Sequence, residues 1–298
     1  MIYGFMGIRR DAMILDTMPA FLNYWRSYSG LDPEEMFDGW LRSYMIYYPE
    51  LLIKQLGSWG SLDRVREVMV SRILPRLDEW IHDMIEAWMN IRANAEDISS
   101  RARRSLKTDL DPLIVLYVGS GCGAGWATII SGRPAILLGL ENIADLGWIS
   151  EERIKGLIAH EFGHLYHMKL RGEWSRFEEL EKDPYFQLYS EGFAQYCEHL
   201  IMGYRSWHVA VGENWIDRCS ERAGDLASKY LDDARRSDVK AFYGSWLDVW
   251  GIKHAGYFLG HELINRLMVN RNLEEVALLS KKEVNEFVRD FLEELSRT

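Results

Sequence analysis

The sequence predicts a mostly helical α+β fold with one small sheet. Two observations carry this. Apolar residues recur three and four apart over long stretches toward both ends of the chain. Between residues 113 and 140 the texture changes to short apolar runs, so strands cluster in sequence instead of alternating with helices.

The first 110 residues read as helices. Segments near Ala12–Tyr28, Pro33–Lys54 and Leu62–Arg92 are amphipathic and are broken at Gly30, Pro49 and Gly57–Gly60. Asp32 is placed to cap the second segment, with Pro33 at the first helical position and Glu34 and Glu35 in the first turn. Pro75 should kink or split the third segment. Leu113–Val118 reads as a buried strand. Trp126–Ile130 and Ala135–Leu140 form a hairpin across the turn sequence Ser131-Gly132-Arg133-Pro134. Helical periodicity returns at Glu151–Leu170, Tyr185–Met202, Ile216–Leu231, His254–Met268 and Lys281–Leu295. The chain is expected to divide near residue 110 into a helical N-terminal region (1–110) and a second unit (111–298).

Composition excludes several classes. A length of 298 residues supplies enough core to fold without staples. Twelve Trp, fifteen Tyr and eleven Phe argue against disorder. A net charge of −10 argues against a nucleic-acid partner. The basic group Arg101, Arg103, Arg104 and Lys107 reads as the solvated face of a helix. No charge-free apolar run reaches the length of a membrane helix, and Met1–Asp11 lacks the pattern of a secretory signal. Cys122, Cys197 and Cys219 are odd in number and widely spaced, which suits reduced thiols in a cytoplasmic protein.

Chemistry concentrates in His160-Glu161-Phe162-Gly163-His164. On a helix capped by Ser150, His160 and His164 project from one face a turn apart, as two corners of a tetrahedral zinc site would require. Glu161 is rotated about 100° away, so it is free to act on a water at the metal's open side. Gly163, costly in a helix by about 1 kcal/mol, implies that another backbone comes close, expected to be that of the sheet. His167 lies too far along the axis to join His160 and His164. Glu191, 27 positions after His164, remains as third ligand and closes a His₂Glu site with one position open for water. Gln195 and Glu198 are candidates to orient a ligand imidazole. The glycine-rich run Gly119–Gly125 lacks the Lys-Ser/Thr and the helix of a phosphate cradle, and reads as a loop near the cleft.

Together with Ser190-Glu191-Gly192-Phe193-Ala194-Gln195-Tyr196, the HExxH stretch resembles the gluzincin clan of zinc metallopeptidases. The segment His254-Ala255-Gly256-Tyr257-Phe258-Leu259-Gly260 is similar to one in a poorly characterised family of predicted zinc-dependent proteases in that clan. The resemblance spans about residues 113–268. It implies a zincin-like core with an active-site helix and a glutamate helix, and one Zn²⁺ per chain. It also implies a peptide or protein substrate aligned by an edge strand, for which Ala135–Leu140 is the match. Glu161 is then the general base. Tyr257, or His254 one turn earlier, is the donor to the oxyanion. A scaffold with structural zinc, or a zinc hydrolase of another amide or ester, would carry the same ligands.

Overall fold

The computed structural model describes residues 13–297; the reading of Met1–Asp11, and the start of the first helical segment at Ala12, lie outside them. The fold is mostly helical α+β. The N-terminal part holds a short strand, β1 (Ile14–Asp16), then α1 (Met18–Tyr28), α2 (Pro33–Ser43), α3 (Pro49–Trp59), α4 (Leu62–Val68) and the long α5 (Leu77–Ser105). Asp32 caps α2, its side chain accepting from Glu34 N at 2.9 Å. Around Pro75 the chain passes from a π-turn (Met69–Ile73) to a 3₁₀ turn (Leu74–Arg76) before α5 begins, as a missing N–H and a ring clash require. The helix expected from Ala12 is corrected at its start. Ile14–Asp16 pairs in parallel with Ile114–Leu116, and Met18-Pro19 then opens α1.

Three further strands follow, β2 (Leu113–Tyr117), β3 (Gly125–Ile130) and β4 (Arg133–Gly139), in the order β1-β2-β4-β3. The expected hairpin joins β3 to β4. Ser131 and Gly132 both have positive φ (48° and 75°), the two-residue turn whose twist matches paired strands. The assignment of Ala135–Leu140 as edge strand is corrected: β4 is interior, parallel to β2 on one side and antiparallel to β3 on the other. The edge is β3. Gly139 N donates to Ala124 O, so by the alternation of antiparallel pairs Trp126, Thr128 and Ile130 bond to β4. The backbone groups of Gly125, Ala127 and Ile129 turn to the open side.

The remaining elements are α6 (Leu140–Asp145), α7 (Glu151–Arg171), α8 (Phe177–Leu180), α9 (Pro184–Met202), α10 (Trp215–Glu221), α11 (Ala223–Arg235), α12 (Ala255–Met268), α13 (Leu273–Ala277) and α14 (Lys281–Leu295). The segment expected at Ile216–Leu231 is two helices, broken at Arg222. Ser150 caps α7, accepting from Arg153 N at 3.4 Å. Helix α9 runs between α7 and α12, while α7 also packs on α5 and β3. Gly163 serves the α7–α9 contact and not, as expected, the sheet: a Cβ there would lie 2.8 Å from Cys197 Cβ and 2.9 Å from Ala194 Cα. Among the described residues no helix is long and apolar enough to cross a membrane, and the three cysteines are unpaired.

The α9–α12 contact is tighter still. A Cβ on Gly192 would collide with the Gly260 carbonyl. Gly192→Ala gains about 1 kcal/mol of helix propensity but overpacks against backbone that cannot rotate away, at about 1–3 kcal/mol or more. The clash should win, and the variant should unfold at lower urea; a midpoint at or above wild type would refute the close approach.

Candidate metal centre

Helix α7 presents His160 and His164 with ring centroids 4.9 Å apart. Helix α9 brings Glu191 across the Gly163 contact. Its Oε2 lies 3.2 Å from His160 Nε2 and 3.4 Å from His164 Nε2. Donors bonded to one tetrahedral ion at ~2.0–2.1 Å stand roughly 3.3–3.4 Å apart, so Glu191 Oε2 stands at that spacing from both imidazoles, and all three ligand atoms lie within 4.8 Å of one another. Burial opposes charge on each group, but their mutual attraction prevails. Glu191 is held far below the usual carboxylate range, His160 is raised to about 10, and His164 is also raised.

The outer ring nitrogens are supported by carboxylates. His160 Nδ1 lies 3.7 Å from Glu198 Oε2. Glu198 is fully buried and accepts from His208 Nδ1 (2.7 Å), Gln195 Nε2 (3.0 Å), Ser206 Oγ (2.7 Å) and His208 N (3.1 Å). Burial works against its charge, yet His208 and His160 hold it down to about 2. Of the two candidates for orienting a ligand imidazole, Glu198 therefore faces His160, whereas Gln195 braces Glu198. His164 Nδ1 lies 3.3 Å from Ser190 Oγ, which donates to Glu181 Oε1 at 2.7 Å. His160, Glu198 and His208 form a second group of potential ligands. However, the 2.7 Å separation between His208 and Glu198 is that of a hydrogen bond, shorter than two donors on one ion keep. This second group supports the first.

Glu161 is buried against β3. A Cβ on Gly125 would collide with its Oε1, and the Ala127 backbone N–H is turned to its carboxylate and favours the charge. Burial raises its pKa above the ordinary value. The Tyr257 ring lies 5.3 Å from that of His160, and its hydroxyl has no hydrogen-bond partner among the described residues. His254 caps α12 with a left-handed backbone (φ 58°). It sits behind Tyr257, with Nδ1 3.2 Å from Val209 O and its ring 5.4 Å from Trp148. Burial pushes it down to about 4. His167 is boxed among Phe177, Phe186, Tyr189 and Phe193, away from the ligand set. His261 is buried against His199 and Trp207.

The structure thus gathers His160, Glu161, His164, Glu191 and Tyr257, and His254 lines the adjoining cavity with Glu161 and Tyr257. Sequence reasoning missed His208, Ser190 and Glu181. Ser190 is adjacent to Glu191 and could have been found by asking what neighbours a ligand's outer nitrogen; His208 lies in an irregular segment with no pattern to reveal it. No known family, curated protein or solved structure matches the chain.

The Gly119–Gly125 run forms the cleft wall beside Glu161. The N-terminal helices hold its start: Gln55 Oε1 accepts from Ser120 N at 2.7 Å, and Trp59 Nε1 donates to Ser120 O at 3.1 Å. Glu141, fully buried on α6, accepts from Gly121 N at 3.2 Å, and its Oε2 has no partner among the described residues. Burial raises its pKa from 4.5 to about 7. Between those values the folded carboxyl keeps a proton that the unfolded one releases, so its contribution is complete below about pH 4.5 and is lost as pH rises toward 7. Wild type should therefore lose on the order of 3 kcal/mol more than Glu141→Gln between pH 4.5 and 8. Parallel slopes in urea unfolding would contradict this.

Proposed function

We propose that this chain is a zinc-dependent peptidase of the gluzincin type, acting in the cytoplasm. The observation that carries the reading is the juxtaposition of three donors at zinc-ligand spacing with Glu161, an acid outside the ligand set. Three unpaired thiols fit a reducing compartment. The similarity of the HExxH and Glu191–Tyr196 segments to that clan supports the same conclusion.

His160, His164 and Glu191 would hold the ion. A zinc ion so held lowers the pKa of its water toward 7 and polarises a carbonyl. The protein's own groups account for the rest. The open side of β3 offers backbone donors and acceptors at Gly125 and Ile129, and the carbonyl of Ala127, to which an extended peptide can add as a further strand. Glu161, below that edge, takes the proton from the attacking water and delivers it to the departing amine. The unpartnered hydroxyl of Tyr257 is the donor available to the charge that develops on the carbonyl oxygen. His254, turned toward Val209, is less well placed for that role. A structural zinc site closes its fourth position with protein and has no use for Glu161 as a base, which favours catalysis over the scaffold reading.

Two variants test the proposal together. Glu161→Gln should retain stoichiometric zinc but lose peptide hydrolysis by about 10²–10⁴-fold, while His164→Ala should lose both. A zinc-loaded wild type inert toward a broad peptide library would reject the peptidase reading. Full zinc occupancy in His164→Ala, measured after dialysis against a chelator, would reject the ligand set.

A further inference from the structure

A cavity of about 480 Å³ opens beside Glu161, within the size range of ligand pockets. Its lining combines the polar groups of Glu161, His208 and Tyr257 with the indoles of Trp59, Trp148 and Trp246, and Trp148 stands edge-on to His208 with centroids 5.0 Å apart. Two of these indoles have their polar edge already engaged: Trp59 Nε1 donates to Ser120 O, and Trp246 Nε1 to Asp145 Oδ2 at 2.9 Å. What they offer a ligand is ring surface. Trp246 is also fixed in place. The Arg72 guanidinium lies 3.9 Å from its ring centroid, and Asp145 is itself paired with Arg76 at 2.7 Å. Its far edge abuts Gly121, where a Cβ would lie 3.0 Å from Cη2. The pocket is therefore joint work, with Trp59 from α3, Arg72 from the turn after α4, and Trp246 from the irregular segment before α12.

We infer that this cavity is a specificity pocket, which takes a large apolar side chain, aromatic by preference, from the substrate residue next to the scissile bond. The inference rests on the peptidase reading, because Glu161 marks where the bond is cut. A peptide lying along β3 reaches the pocket at Gly125, which touches both Glu161 and the cavity. Indole rings in the wall favour an aromatic guest beyond the area it buries. The N-terminal helices thereby belong to the substrate site as well as to the scaffold.

The test uses the full chain loaded with zinc and an equimolar peptide library. Cleavage sites should carry Phe, Tyr, Trp, Leu or Met at one fixed position beside the cut, and Phe→Ala at that position should lower kcat/KM roughly 10- to 100-fold. Trp246→Ala, and separately the milder Trp59→Leu, should shrink that ratio several-fold, with folding verified by thermal melting. Cleavage without such a preference, or folded variants that keep the wild-type ratio, would overturn the assignment. If the zinc-loaded wild type cut nothing, the peptidase reading would fall. The pocket would then be judged by tryptophan fluorescence on the same protein, with acetyl-Phe-amide and acetyl-Ala-amide as probes. Tighter binding of the aromatic probe, reduced in Trp246→Ala, would uphold the pocket; equal affinities would overturn it.

Discussion

Everything about the site depends on how closely α9 can lie on α7. Glu191 reaches two imidazole nitrogens on the neighbouring helix because Gly163 presents only hydrogen toward Ala194 and Cys197. The same economy repeats one layer out, where Gly192 meets Gly260 and draws α12 against α9. Tyr257, in the first turn of α12, then stands over His160. Each glycine gives up about 1 kcal/mol of helix propensity. Three helices in such contact convert that loss into ligand positions fixed by backbone, which hold better than positions fixed by side-chain rotamers.

The electrostatics follow from that packing. Glu161, Glu181, Glu191 and Glu198 are gathered around three histidines, all of them largely out of water. Their environments split the acids into two kinds. Glu191 and Glu198 face imidazoles directly and are held in the charged form; Glu161 and Glu181 are governed by burial and shift upward. Such a division lets carboxyls on neighbouring turns take different roles, one pair holding histidines in charge-assisted contact and the other available to exchange protons. Glu198 is the most heavily committed. By accepting from His208, Gln195 and Ser206 it ties the irregular segment around residue 208 to α9, with its Oε2 3.7 Å from His160 Nδ1.

Much of this was legible in the sequence, because it is local. Helical periodicity gave α14 to the residue, and α7 and α9 to within one; Asp32, Pro75 and Ser150 acted as their chemistry dictates. The HExxH spacing placed two imidazoles on one face without reference to the rest of the chain. What the sequence could not show depends on long-range pairing. Ile14–Asp16 is too short to break a helical pattern and becomes a strand only because β2 lies beside it. The edge of the sheet was assigned to β4, yet the hairpin folds back so that β3 takes the outside. Gly163 was correctly read as a close approach, but its partner, α9, is set by tertiary packing. His208 enters through a loop whose course is dictated by Glu198, ten residues earlier.

An open edge strand is a hazard as well as a binding surface, since its free N–H and C=O groups will pair with any extended chain. The structure limits that hazard without covering the edge. Lys54 Nζ donates to Thr128 Oγ1 at 2.6 Å and pairs with Glu178 at 3.3 Å, so charge from α3 and α8 stands beside the middle of β3. Gly125 and Ala127 lie against Glu161, and β3 itself is only six residues long. A flat sheet from another molecule would have to bury both the ion pair and the acid, whereas a single extended strand can enter between them. The charges beside β3 thus make it a poor template for aggregation. Lys54 is a point at which the N-terminal helices reach this side of the sheet, through its bond to Thr128.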